Sequence, residues 1–342
     1  MILGNVLLTA TNAVAPIVLL ILLGYSLKRI GYINAAFIKL GKRLVFQVFL
    51  PCMLFVNVYD IDSFAAIKWD IVLYCAAAAI VIFLLSLLSV GLYTNARQRK
   101  GVIIQCAFRS NFALIGMPLA SYLGGAAAMA IAAVISSFVI PVFNVLSVVA
   151  LSIFVETGTS RKDSAKQIAR NIAKNPLIIA IALGLGCLLL REAQTAAFGN
   201  VVFSLRTQGK ILYTVLNNLK SIASPFALII LGGEFELSAV KGMGKEIVAG
   251  TLWRLVLAPL LGIGTAILLS TRTGLLTCGP DTFPALIALF GSPAAVSSVV
   301  MAGAMGNDEQ LAAQLVVWTS LLSIATIFLQ VCLLMGFGYL PM

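Results

Sequence analysis

The chain contains no histidine. That excludes H-E-x-x-H metalloprotease chemistry, His-based triads and His proton relays together. Nowhere does a G-x-x-x-x-G-K-[ST] loop occur, so the chain does not hydrolyse ATP by itself. The six cysteines (Cys52, Cys75, Cys106, Cys187, Cys278, Cys332) form no C-x-x-C pair. Most stand in apolar runs and read as small core residues, so neither a disulfide framework nor a zinc site is expected. Tyr59-Asp60 is half of an intramembrane aspartyl protease signature, but the G-x-G-D half is missing and Asp60 reads as an acid at a span end. With no nucleophile, metal or dyad constellation, no enzyme and no cofactor are expected.

Charge is also scarce. Only 10% of the 342 residues are charged while 61% are hydrophobic, and the mean hydropathy is +1.06. A soluble chain of this length has too little interior to hide that much apolar surface, so the class is an all-α polytopic membrane protein. Lys and Arg outnumber Asp and Glu by 23 to 12. The excess sits in short loops between apolar runs, where it orients spans rather than binds nucleic acid. The N-terminal segment lacks a basic start and runs into a full span ending at Lys28 and Arg29, so it reads as a span rather than a signal peptide.

About ten apolar segments reach the roughly 20 residues that a crossing needs. They lie near 6–27, 37–58, 71–94, 101–123, 126–154, 175–191, 211–233, 247–270, 281–304 and 310–338, the fourth and ninth being the least regular. With the N-terminus outside, the cytoplasmic loops hold fifteen Lys and Arg, from Lys28 to Lys245, and the outer loops hold five: Lys68, Arg191, Arg206, Lys210 and Arg272. The bias supports an even number of spans and places both termini outside.

The hydrophilic stretch 156–174 then lies in the cytoplasm and links residues 1–155 to residues 175–342. Five spans on each side give an inverted repeat, because an odd number turns the second half upside down. The halves echo one another. Pro51 in the second span matches Pro225 in the seventh; Gly116 and Pro118 in the fourth match Gly291 and Pro293 in the ninth. Proline removes a backbone donor and opens a helix, and open backbone at membrane depth survives only beside protein or a wet cavity. Two such breaks are expected to cross near the midplane and to turn half-helix N-termini toward a substrate. Pro16, Pro141 and Pro259 read as simple kinks.

Arg109 stands nine residues past Lys100, about 13 Å deep at roughly 1.5 Å per residue. A cation there attracts an anionic substrate through a bidentate fork, or makes a structural ion pair with an acid such as Asp60 or Glu234. Both readings stand. Lys220 poses the same question with an easier route to the surface. Ser110, Asn111, Ser292, Ser297 and Ser298 offer hydrogen bonds near the crossing, or serve as interhelical glue. Gln47, Asn57, Asn175, Asn217 and Asn218 are weaker candidates of the same kind.

The chain resembles the auxin efflux carrier family, which includes plant PIN-FORMED auxin exporters and bacterial carriers of malate or malonate. The resemblance rests on "VFLPCMLF", "RSNFALIGMPL", "KNPLIIAIALGLG" and "ALFGSPAAVSSVVMAGAMGND", in that order, and covers nearly the whole chain. It implies a homodimer, with spans one, two, six and seven as scaffold and spans three to five and eight to ten as a transport domain that moves like an elevator. It assigns Asn111, Pro293, Leu50 and Asn175 to the substrate region. This sequence has Leu177 and Ser298 where plant exporters have Asn and Pro, and its central loop is shorter than in many plant members. With Arg109 these departures point away from auxin and toward a dicarboxylate. The expectation is therefore a secondary carrier of small organic anions lying among membrane lipid. A sodium-coupled symporter of the bile-acid type and a ligand-binding membrane sensor are the alternatives. Uptake driven by a sodium gradient marks the first, and tight binding without flux marks the second.

Overall fold

In a lipid interior the backbone has no water to bond with, and long runs of Leu, Ile, Val and Ala close their hydrogen bonds as helices. The computed structural model describes residues 15–16, 19–60, 69–154, 173–235 and 242–340, and these are overwhelmingly helical. Seven helices among the described residues are long and apolar enough to cross a membrane. Of the ten expected segments, the other three are the first, which is only partly described, and the fourth and ninth, which are interrupted. All but residues 173 and 174 of the expected 156–174 linker lie outside the described residues.

Residues 19–29 form helix α1. Helix α2 (Ala35–Leu44) starts at Asn34, whose side chain accepts from the Phe37 amide, and continues through a π-turn (Val45–Phe49) into α3 (Leu50–Tyr59). Then come α4 (Trp69–Ser89), α5 (Arg97–Phe108) and, after a break and a π-turn (Phe112–Gly116), α6 (Met117–Ile153). Inside α6 the chain turns at Gly124 and Gly125, and the φ of +64° at Gly125 is a left-handed conformation that suits glycine.

After the undescribed linker come α7 (Pro176–Phe198) and α8 (Lys210–Glu234). Helix α9 (Gly244–Leu252) passes through a π-turn (Trp253–Leu257) into α10 (Ala258–Leu268). Helix α11 (Thr282–Leu286) runs into a π-turn (Ile287–Gly291) that ends at the second break; α12 (Ser297–Ala304) and α13 (Glu309–Gly336) follow.

Four of the π-turns end two residues before a proline: Pro51, Pro118, Pro259 and Pro293. A widened turn gives room to the ring and relieves the missing donor. The expected breaks at Pro51 and Pro225 do not form. The chain stays helical from Ala35 to Tyr59 through Pro51, and Pro225 lies inside continuous α8.

The helices pack in two groups. Helix α3 lies against α7 and α8, and α2 lies against α8. Gly24 and Gly232 bring α1 and α8 backbone to backbone: an added Cβ on either would collide with a carbonyl of the other helix, at Ile229 and Ile21 respectively. In the other group α6 packs on α4, α5 and α11, while α9 and α13 pack on α5 and on each other. A cavity lies where the groups face one another.

Candidate functional site

The two breaks meet. Helix α5 ends at Phe108, and Arg109 (φ −89°, ψ 100°) is extended. In the second half Gly291 ends the π-turn and Ser292 (φ −65°, ψ 149°) is extended. The freed backbone groups satisfy one another. Ser110 and Ala294 form an antiparallel bridge, the Asn111 N–H donates to the Pro293 carbonyl at 2.7 Å, and the Ala295 N–H donates to the Arg109 carbonyl at 3.2 Å. The Ala294 N–H donates to Thr319 Oγ1 at 3.1 Å. Two strand-like residues from each segment thus replace helical bonds at the depth where unmet donors cost most.

On one side of this crossing is the cavity, of about 630 Å³. Both downstream half-helices turn their N-termini into it: Phe112 and Ala113 from one, Val296 and Ser297 from the other, all lining the space. Neither start has a side-chain cap. Uncapped N–H groups and the dipole behind them favour a negative guest.

Arg109 lines the same cavity while being only 4% exposed. Its Nη2 donates to Asn144 Oδ1 and to Ser297 Oγ, each at 2.8 Å, and its Nη1 faces Met301 Sδ. Asn144 is itself oriented, since its Nδ2 donates to the Ile140 carbonyl at 2.7 Å. Among the described residues no carboxylate reaches Arg109. Asp60 is held instead by Arg206 (3.0 Å), the Tyr213 hydroxyl (2.7 Å) and Lys220 (3.5 Å). The Glu234 side chain lies outside the described residues. Ser110 Oγ and Asn111 Nδ2 are buried with no hydrogen-bond partner among the described residues.

Of the residues expected at the site, Arg109, Ser110, Asn111 and Ser297 come together in the cavity wall, and Pro293 supports it through its carbonyl. Asn57, Asn217 and Lys220 line it too, as does Pro225, as part of intact α8. Ser298, Gln47 and Asn218 are not among the lining residues, and three further expected residues stand elsewhere. Ser292 turns its hydroxyl back to the Ala288 carbonyl (2.5 Å). Leu50 is buried in packing at the start of α3. Asn175 caps α7 by accepting from the Leu177 amide at 3.0 Å, a helix-start role that fits Asn before Pro. Gly116 and Pro118 fall within helical turns, so the fourth-span break comes earlier, at Arg109–Asn111. In the ninth span both expected breakers fit: Gly291 ends the π-turn and Pro293 lies within the break itself.

Sequence reasoning misses two residues. Asn144 carries no signal, being one polar residue in an apolar helix. Arg254 does carry one: a cation in the middle of the apolar run 247–270. It is fully buried on the far side of the crossing. Its Nη1 donates to the Ala107 carbonyl at 3.0 Å and its Nη2 to the Phe290 carbonyl at 2.5 Å.

Ion pairs hold the expected cytoplasmic edge. Arg99 bonds Asp308 and Glu246, each at 2.9 Å. Burial there opposes the charge, and the hydrogen bonds to the two acids outweigh it and hold the Arg99 guanidinium above its ordinary value. Lys42 of α2 bonds Glu309 of α13 at 2.8 Å, a link between the two packing groups.

No curated protein matches the chain. A family model described as a membrane transport protein, that of the auxin efflux carriers, matches residues 9–331, which is nearly the whole sequence. With at least seven membrane-length helices and a family model that covers nearly all of it, the chain is an integral membrane protein and belongs to the auxin efflux carrier family of membrane transport proteins.

Proposed function

We propose that this transporter is a secondary carrier of small organic anions, with dicarboxylates as the favoured class. The observation that carries the proposal is the convergence in one cavity of Arg109, without a carboxylate partner among the described residues, and two uncapped half-helix N-termini. All three favour a negative guest. Ser110, Asn111 and Ser297 supply neutral hydrogen bonds to a carboxylate; Lys220 also lines the wall, 3.5 Å from the lining Asp60. Their number suits more than one carboxylate.

The proposed cycle is an elevator in a homodimer. The ten spans form two inverted five-span repeats, residues 1–155 and 175–342, joined by the 156–174 linker in the cytoplasm, with both termini outside an inner membrane. Helix α3 packs more extensively on α7 and α8 than on the second group, which supports division into a scaffold and a mobile transport domain. Arg109 and both half-helix N-termini belong to the second group, so the anion rides with it. The link from Lys42 to Glu309 must then break and re-form in each cycle.

Flux of radiolabelled mono- and dicarboxylates into proteoliposomes tests this reading. The parent protein carries at least one such acid, and Arg109→Ala and Asn111→Ala reduce its flux. Full flux in both variants for every acid carried by the parent refutes the site, and no flux of any organic anion refutes the function.

A further inference from the structure

Arg254 is 0% exposed and is not among the cavity-lining residues, yet it stands at the crossing. The helix ends explain why. Upstream half-helices α5 and α11 both finish at the break, and their last carbonyls have no amide of a following turn to accept from. Each helix C-terminus carries about half a unit of negative charge, so two converging ends sum to about one. A single guanidinium matches that charge. Its planar fork also reaches both carbonyls together, Ala107 through Nη1 and Phe290 through Nη2, which a point ammonium does less well. The π-turn Trp253–Leu257 that precedes Pro259 lets the helix carry Arg254 there.

We propose that Arg254 is a tethered cation filling a carbonyl-lined cation site between the two broken helices, and that it locks them into one moving unit. It is a positioning residue. Arg109 faces the substrate across the N-terminal ends, and Arg254 neutralises the C-terminal ends behind it. Without the side chain, two convergent carbonyls and a hole of guanidinium shape remain, and a free cation of that shape fits them.

The test uses purified full-length protein, the parent beside Arg254→Ala, with guanidinium chloride at low millimolar concentration as probe and urea and tetramethylammonium chloride as controls. In thermal melting, the variant unfolds below the parent and guanidinium raises its midpoint saturably, while the controls do not and the parent does not respond. In proteoliposomes the variant's organic-anion flux is roughly tenfold lower, the loss equivalent to one unmet buried hydrogen bond, and guanidinium recovers part of it. Equal guanidinium responses in parent and variant overturn the proposal, as does parental stability in Arg254→Ala. Should Arg254→Ala not fold, Arg254→Lys and Arg254→Gln decide: Lys outlasting Gln in melting supports a required charge, and Gln matching Lys overturns it. The flux arm rests on the proposed organic-anion function. Melting does not, so failure of that function leaves the Arg254 result intact.

Discussion

Arg109 and Arg254 are the same residue type, both buried at one crossing, and they differ in what they hold. Arg254 bonds two main-chain carbonyls that cannot move away without unwinding helices. Arg109 bonds Asn144 and Ser297, neutral side chains whose loss of its guanidinium leaves no buried charge behind. One cation is committed to backbone and the other is held by neutral side chains beside a cavity. The difference follows helix polarity: C-terminal ends attract a protein cation, while uncapped N-terminal ends favour a negative guest. A buried charge is thus not a functional site by itself; the partner decides.

Substitutions can break that contrast. Arg254→Met is expected to have the largest effect, because it strands two buried carbonyls, costing about 2–6 kcal/mol at 1–3 kcal/mol each; thermal or denaturant unfolding in detergent measures it. A stable Arg254→Met protein would remove the distinction between the two arginines. Arg109→Ala should instead leave the melting midpoint close to the parent and reduce organic-anion flux roughly tenfold to a hundredfold, the range for a charge-assisted hydrogen bond.

Smaller effects sharpen the picture. Ser297→Ala removes one of the bonds that aim Arg109 and should weaken apparent substrate affinity about fivefold, in line with about 1 kcal/mol per hydrogen bond. Asn111→Ala separates side chain from main chain. Its N–H to Pro293 survives, so melting should be unchanged, while the loss of the unpartnered Nδ2 lowers flux a few-fold, roughly one neutral hydrogen bond. A melting loss as large as that of Arg254→Met would show that Asn111 is structural. Lys42→Gln should move stability least, by about 0–1 kcal/mol for a partly exposed pair. Its effect is expected in the rate of exchange between inward- and outward-facing states, read as altered labelling of a cysteine introduced at the cavity wall.

Much of the site was legible before any coordinates. A cation, a serine and an asparagine in one apolar run, echoed by Gly-Ser-Pro in another, pointed to Arg109, Asn111 and Pro293 because open backbone in lipid needs polar company. Reading prolines as breaks was less successful. Pro51 and Pro225 sit in helices that continue, and a π-turn before Pro51 gives its ring room. The fourth-span break fell at Arg109–Asn111, well before Pro118, because it is pairing with residues 293–295 that stabilises the extended segment. Asn175 looked like a site residue and proved a helix cap; the two uses require the same side chain.

By itself the sequence determined the membrane class, most of the helical segments, the irregularity of the fourth and ninth and the presence of buried charge. Those properties are local: hydropathy, period and helix-breaking chemistry act over a few turns. Only the tertiary structure decided what faced what. Residues 109–111 reach 293–295, Arg254 reaches Ala107 and Phe290, and Asp60 turns to Lys220 and Arg206 rather than Arg109. Such pairings join residues far apart in the chain, and their geometry depends on how whole helices pack. No run of neighbouring residues encodes which helix end a cation will meet.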